Sequence, residues 1–152
     1  MSHPSQELKE AESTLKSVVQ ILIDSQEGFQ KIGEELKDET LKHFFFSESL
    51  QRAQFRGDLE TVLHQEGVHD VKESGTVSGS MQRAWGDLKA MMGGSDHALL
   101  TTAEQEEASA VKAYTDALDN YLPFPVRQLL TSQSAHIQAS RDYIRGAKEM
   151  AK

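Results

Sequence analysis

Five polar residues with side chains suited to ion pairing or metal binding interrupt the apolar faces of this 152-residue chain: Glu48, Arg52, Glu107, Gln133 and His136. Carboxylates and imidazoles are ligands that iron and manganese accept in proteins. A guanidinium is always protonated and offers carboxylates a planar fork of donors. Because a buried carboxylate without a partner is unfavourable, the two glutamates must be neutralised either by a metal ion or by Arg52.

A heptad pattern predicts the first of the elements that hold these residues. Leucine-like residues recur every seven positions from Leu8 to Leu36, with Ala11, Val18, Ser25 and Ile32 between them. Such a seam is typical of a helix packed in a bundle. We predict a first helix near 5–37, a second from the "KDET" stretch to about Gln65, a third over about 96–120 and a fourth from Pro125 to the C-terminus.

Local signals predict where these helices begin and end. Asp38 and Glu39 can cap the second helix and complement its N-terminal dipole. Gly67 suits the position just beyond the C-terminus of that helix. The stretch "TTAE" at 101–104 has the pattern of a capping box, so the third helix begins either near 96 or about five residues later.

The connection between the second and third helices contains a shorter amphipathic segment. Residues 68–80 are polar and glycine-rich, which is typical of a loop. The stretch "SMQRAWGDLKAMM" follows, and "GGSD" ends it at 93–96. Because Met81, Trp85, Leu88 and Met92 fall on one side, we expect an additional short helix here.

Together these elements predict an all-α, left-handed four-helix bundle that forms one domain over residues 1–152. The short links after the first and third helices make those pairs antiparallel. The connection of about 30 residues between the second and third helices can cross the length of the bundle, which is the ferritin-like arrangement. In such a bundle, the mid-helix polar residues should lie at similar heights and meet in one interior region.

The sequence also resembles a bacterial family of uncharacterised ferritin-like four-helix-bundle proteins. Five stretches carry the resemblance, which extends over nearly the whole chain: "DSQEGF" (24–29), "SLQRAQFRGDL" (49–59), "GSMQRAWGDLKA" (79–90), "AEQEEASAVKAYTDAL" (103–118) and "LPFPVRQLL" (122–130). The resemblance implies a ferritin-like fold and no assigned activity.

The chain departs from the di-iron carboxylate pattern, in which two helices each carry a glutamate and two others carry Glu-x-x-His. Leu22 takes the position of the first-helix glutamate, and Gln51 stands where a histidine would follow Glu48. The fourth helix carries "QSAH" at 133–136, with glutamine in place of glutamate. Arg52 then puts a fixed positive charge where a cation would sit.

We therefore predict that Glu48, Arg52, Glu107, Gln133 and His136 form an internal network at the former metal position. In this hypothesis the guanidinium binds both glutamates, while Gln133 and His136 complete the hydrogen bonds. One alternative is an atypical iron or manganese site with ligands drawn from Glu27, Glu48, Glu104, Glu107 and His136. A second alternative is that Glu48 and Arg52 lie at a helix edge and are solvated.

Composition narrows the functional class. A net charge of −8 and a pI near 5.2 argue against nucleic-acid binding and against adsorption to anionic membranes. No apolar run approaches the roughly 20 residues of a membrane span. The absence of cysteine removes disulfides, zinc knuckles and thiol nucleophiles. The start "MSHPSQELKEAE" is too polar for a secretory signal, so we expect a cytoplasmic protein.

These features favour a non-catalytic protein without a cofactor over an enzyme. We expect a stress-associated or self-associating bundle, and the alternative is an iron- or manganese-binding metalloprotein. A homo-oligomer could form through the short helix around Trp85 and through exposed aromatic rings of Phe44, Phe45 and Phe46.

Overall fold

The computed structural model describes residues 6–68 and 95–151, and within these ranges every regular element is an α-helix. The helices are α1 (Gln6–Glu35), α2 (Glu39–Gln65), α3 (Asp96–Leu118) and α4 (Phe124–Met150). The prediction of an all-α, four-helix bundle is confirmed. The short helix predicted around Trp85 lies outside the described residues.

Side-chain caps determine where α2 and α3 begin. The carboxylate of Asp38 accepts a hydrogen bond of 2.9 Å from the backbone N–H of Leu41. The hydroxyl of Ser95 accepts one of 3.1 Å from the N–H of Ala98. Each cap satisfies an N–H group that the first turn of a helix leaves without an intrahelical acceptor. The third helix therefore begins at Asp96, and the later start at 101–104 is wrong.

α2 ends just before a glycine, as predicted. Gly67 has a φ of 92°, in the left-handed region that glycine adopts without steric cost. Its N–H bonds the carbonyl of His64 at 3.0 Å, and the N–H of Val68 bonds the carbonyl of Leu63 at 2.8 Å. This pair of bonds is a Schellman motif. At the start of α4, Pro125 is the second residue of the helix and not the first.

Neighbouring helices run antiparallel around the bundle. α1 packs against α2 and α3, and α4 packs against α3 and α2. α2 and α3 are both antiparallel to α1, so they run in the same direction. The start of α3 lies beside the end of α1, where Asp96 accepts hydrogen bonds from the N–H groups of Lys37 and Asp38. The end of α2 lies at the opposite end, because Val68 belongs to the core cluster that contains Leu8. The last residue of α2 and the first of α3 are therefore separated by the length of the bundle, as the long connection predicted.

A polar layer divides the core into two apolar clusters. One cluster includes Leu15, Leu59 and Ile137, and the other includes Phe29 and Ile144. The buried polar residues between them come from all four helices and include Ser25, Glu48, Arg52, Glu107 and Ser140. These residues lie near the middle of their helices.

The expectation of exposed aromatic rings at 44–46 is wrong, whereas Tyr121 is 84% exposed because α3 ends before it. Phe45 is fully buried, and Phe44 stacks on Tyr143 with ring centroids 4.3 Å apart. The ring of Phe46 lies against Gly33. Residues 44–46 therefore pack within the chain and do not offer the exposed aromatic surface that was expected.

No helix in the described part of the chain combines the length and the apolar content that a membrane span requires.

Candidate functional site

A bidentate ion pair between α2 and α3 forms the centre of the polar layer. The guanidinium of Arg52 donates from Nη1 to Glu107 Oε1 at 2.7 Å and from Nη2 to Glu107 Oε2 at 2.8 Å. Both side chains are 0% exposed. Parallel N–H···O bonds of this kind are the strongest geometry for an arginine–carboxylate pair. Both oxygens of Glu107 are thus occupied by one cationic side chain.

Two further groups stabilise the positive charge of Arg52. Its Nη2 lies 4.0 Å from Glu48 Oε2, one helical turn away on α2. Its guanidinium carbon lies 5.0 Å from the ring centroid of Phe29, a cation–π contact with α1. Burial lowers the pKa of Arg52, but the charges of Glu107 and Glu48 outweigh it and hold the pKa above its ordinary value. Arg52 therefore remains a cation inside the bundle.

His136 joins the layer from its edge. Its Nε2 lies 2.8 Å from Glu48 Oε1 and 2.9 Å from Glu48 Oε2. The imidazole packs edge-on against the ring of Phe55, and 42% of the side chain is exposed. The sequence placed His136 in the interior, whereas α4 carries it at the margin of the bundle. The chain of contacts from His136 through Glu48 to Arg52 therefore connects solvent with the buried ion pair.

Gln133 belongs to a separate hydrogen-bonded branch. Its Oε1 accepts a bond of 2.6 Å from the hydroxyl of Tyr114, and its Nε2 donates to the carbonyl of Phe55 at 3.0 Å. Burial raises the pKa of Tyr114, so the phenol stays protonated and acts as a donor. Tyr114 lies seven residues after Glu107, about two helical turns along the same face of α3, and this spacing was the sequence signal that it also faces the interior.

The five residues of the alternative metal site do not meet at one point, although Glu48 and His136 are in contact. Glu27 is exposed. Glu104 binds Arg145 at 2.7 Å and Lys148 at 2.5 Å, and hydrogen bonds from these two side chains lower its pKa. Arg52 holds both oxygens of Glu107. Across residues 6–68 and 95–151, no group of three or more histidine, cysteine or acidic side chains could hold a metal ion. The donor set therefore does not fit the di-iron carboxylate pattern.

A second group of buried polar side chains lies at the contact of α1 with α3, and the sequence analysis did not find it as a site. Gln20 Nε2 donates to Asp24 Oδ1 at 3.0 Å. Burial raises the pKa of Asp24 to about 6. Burial, and then the charges of Asp24 and Glu107, raise the pKa of Glu106 to about 7. We refer to Gln20, Asp24 and Glu106 as the acidic cluster.

The acidic cluster leaves three oxygen atoms without a hydrogen-bond partner. These buried atoms are Gln20 Oε1, Asp24 Oδ2 and Glu106 Oε2. The sequence signal was the pair Glu106 and Glu107, because adjacent residues point about 100° apart on a helix and only one can face α2. The other must face a different neighbour, and here that neighbour is α1.

Comparison with known proteins gives a family for the chain. A comparison with curated proteins finds no match. A family profile described as "Domain of unknown function (DUF2383)" matches residues 10–120. The matched segment contains α2, α3 and nearly all of α1, and with them Arg52, Glu107 and the acidic cluster. Since the profile covers well over half of the 152 residues, the chain belongs to the DUF2383 family.

Proposed function

We propose that this protein is a non-catalytic, ferritin-like bundle in which the guanidinium of Arg52 takes the place of a metal centre. The observation that carries the proposal is the bidentate contact of Arg52 with Glu107, with both side chains fully buried. A permanent cation already neutralises the carboxylate that a metal would need.

The connectivity supports the ferritin-like part of the proposal. α2 and α3 run in the same direction and are joined by a long connection, as in bundles with one crossover. The polar layer lies at mid-height, where such bundles build their metal sites. The departures at Leu22, Gln51 and Gln133 remove three of the expected ligands.

Without a reactive centre, the buried layer acts on the packing of the helices. Replacing a complete buried ion pair by apolar residues often changes stability little, whereas removing one partner is strongly destabilising. Such a pair therefore selects one arrangement of helices over others. We infer a protein that works through its folded surface, by self-association or by binding a partner.

Elemental analysis of protein purified without chelators tests this proposal. We expect no stoichiometric iron or manganese that depends on Glu107 and His136, the ligands that the Arg52 layer would have to supply. Stoichiometric iron or manganese that disappears in Glu107→Gln or His136→Ala protein would overturn the proposal in favour of a metalloprotein. That alternative requires Arg52 to leave Glu107, because both oxygens are already bound.

The variant Arg52→His gives a second test. Histidine removes the permanent cation and supplies a ligand beside Glu48, Glu107 and His136. We expect the variant to lose stability or to gain affinity for divalent metals. The matched control is Arg56→His, because Arg56 pairs with Glu60 on the partly exposed side of the same helix. If the two variants behave alike, Arg52 does not take the place of a metal.

A further inference from the structure

The acidic cluster is a concentration of negative charge that no positively charged group of the described chain neutralises. Gln20, Asp24 and Glu106 are each at most 9% exposed. Within residues 6–68 and 95–151, neither carboxylate forms an ion pair with lysine, arginine or histidine. The charge of Glu27 acts on Asp24, and the charge of Glu107 acts on Glu106, and both are negative. A buried carboxylate in such a place either takes up a proton or binds a cation.

The three oxygens without a hydrogen-bond partner limit which kind of group can satisfy the acidic cluster. A single proton shared by Asp24 and Glu106 would satisfy one oxygen of each carboxylate and leave Gln20 Oε1 without a donor. Rotating the amide of Gln20 does not help, because its oxygen would then face Asp24 Oδ1, which accepts from Nε2 at 3.0 Å. One cation bound among the three oxygens would take each of them as a ligand.

We propose that Gln20, Asp24 and Glu106 form a binding site for one hard divalent cation between α1 and α3. Carboxylate and amide oxygens are the ligands that Ca²⁺, Mg²⁺ and Mn²⁺ prefer, and the cluster contains no imidazole or thiolate to select softer metals. Waters complete the coordination of such ions in sites with few protein ligands. The site is distinct from the Arg52 layer, where a guanidinium already binds the carboxylate.

Calorimetric titration of the full-length protein, freed of metal with a chelator, tests the proposal. Ca²⁺, Mg²⁺ and Mn²⁺ are titrated separately at pH 8, where the carboxylates are ionised. We expect one ion of at least one of these metals to bind per chain. Asp24→Asn and Glu106→Gln should each weaken binding by more than about tenfold, since even mutations behind the ligands reach that size.

Folding defects would not account for the expected loss. Both substitutions keep the shape of the side chain and remove like-charge repulsion, so the metal-free variants should unfold at temperatures no lower than the wild type. The matched control is Glu104→Gln, since Glu104 is a carboxylate of the same helix that already binds Arg145 and Lys148. This control should bind the ion as the wild type does.

Three results would overturn the cation site. The first is no binding of any of the three ions up to about 10 mM, beyond the millimolar range of the weakest calcium modules; the proposed function would then stand. The second is equal weakening by Glu104→Gln, which would indicate attraction by general negative charge. The third is binding that survives both cluster variants and disappears in Glu107→Gln or His136→Ala. That result would place the ion in the Arg52 layer and overturn the proposed function as well.

Discussion

Two groups of buried charge in the same bundle are neutralised in different ways. In the Arg52 layer, a guanidinium forms two hydrogen bonds with Glu107 and its pKa is raised, so both charges persist. In the acidic cluster, no cationic side chain pairs with the two carboxylates, and burial together with the charge of Asp24 raises the pKa of Glu106 to about 7. Burial is similar in both places. The difference shows that the partner, and not the depth, decides whether a buried group stays charged.

One helix contributes to both groups. Glu106 and Glu107 are adjacent on α3, and helix geometry turns their side chains towards different neighbours. Glu107 forms an ion pair with Arg52 of α2, whereas Glu106 is affected by the charge of Asp24 on α1. The comparison can therefore be tested with variants of a single helix and its two partners.

Removing Arg52 should have the largest effect. Arg52→Met leaves Glu107 and Glu48 buried without their cation, and we expect a loss of about 3–5 kcal/mol in the free energy of unfolding. Urea denaturation measures the loss. The control Arg56→Met removes a partly exposed pair with Glu60 and should cost at most about 1 kcal/mol. Equal losses in the two variants would mean that the buried pair is no stronger than a surface pair.

Removing the charge of Glu106 should raise the free energy of unfolding, whereas removing Arg52 lowers it. Because its folded-state pKa is raised from 4.5 to about 7, the folded protein binds this proton more tightly than the unfolded chain. The associated stability is complete below about pH 4.5 and is lost as the pH rises through 7. The variant Glu106→Gln carries no charge here at any pH, so it does not lose this stability. At pH 8, after chelator treatment, its free energy of unfolding should exceed that of the metal-free wild type by on the order of 2–3 kcal/mol.

Glu104→Gln is the matched control for this pH dependence. The pKa of Glu104 is lowered by hydrogen bonds from Lys148 and Arg145. The stability that ionised Glu104 contributes is therefore present at neutral pH and is lost as the pH falls. The control should therefore be slightly less stable than the wild type at pH 8, by at most about 1 kcal/mol. Urea denaturation from pH 4 to pH 8 compares the three proteins. A stability of Glu106→Gln that parallels the wild type at every pH would contradict the unpaired state of the acidic cluster.

Removing the hydroxyl of Tyr114 should have the smallest effect, because it belongs to the neutral branch of the layer. Tyr114→Phe leaves Gln133 Oε1 without its buried donor, which should cost about 1–2 kcal/mol. Tyr121→Phe, on an exposed ring, should change the unfolding free energy by less than about 0.5 kcal/mol. If Tyr114→Phe lost as much unfolding free energy as Arg52→Met, the neutral branch of the polar layer would matter as much to stability as the buried ion pair.

The sequence predicted the helices because their signals are repeated or local. The heptad pattern from Leu8 to Leu36 repeats the same apolar spacing several times, so the prediction of α1 did not depend on a single residue. Asp38 and Gly67 act through backbone groups within a few residues of themselves. The start of α3 was ambiguous because two polar stretches, near 95 and at 101–104, had capping residues. Only the bond from Ala98 to Ser95 decides between them.

The candidate sites were less predictable because they depend on which helix faces which. Similar predicted helix lengths were enough to expect Glu48, Arg52 and Glu107 at comparable heights. The rotation of α4 was not determined to better than one residue, so His136 was placed inside although it lies at the edge. The acidic cluster was missed because one buried stripe was assigned to each helix. α3 has two buried faces, since it contacts both α1 and α4.

The parallel course of α2 and α3 has a consequence for how the chain assembles. α1 with α2 and α3 with α4 are hairpins closed by short links, and their contacts are local in sequence. The Arg52–Glu107 bond joins residues 55 positions apart and belongs to neither hairpin. We expect it to form only when the two hairpins dock. Loss of this bond should therefore appear mainly as faster unfolding, with a folding rate close to that of the wild type.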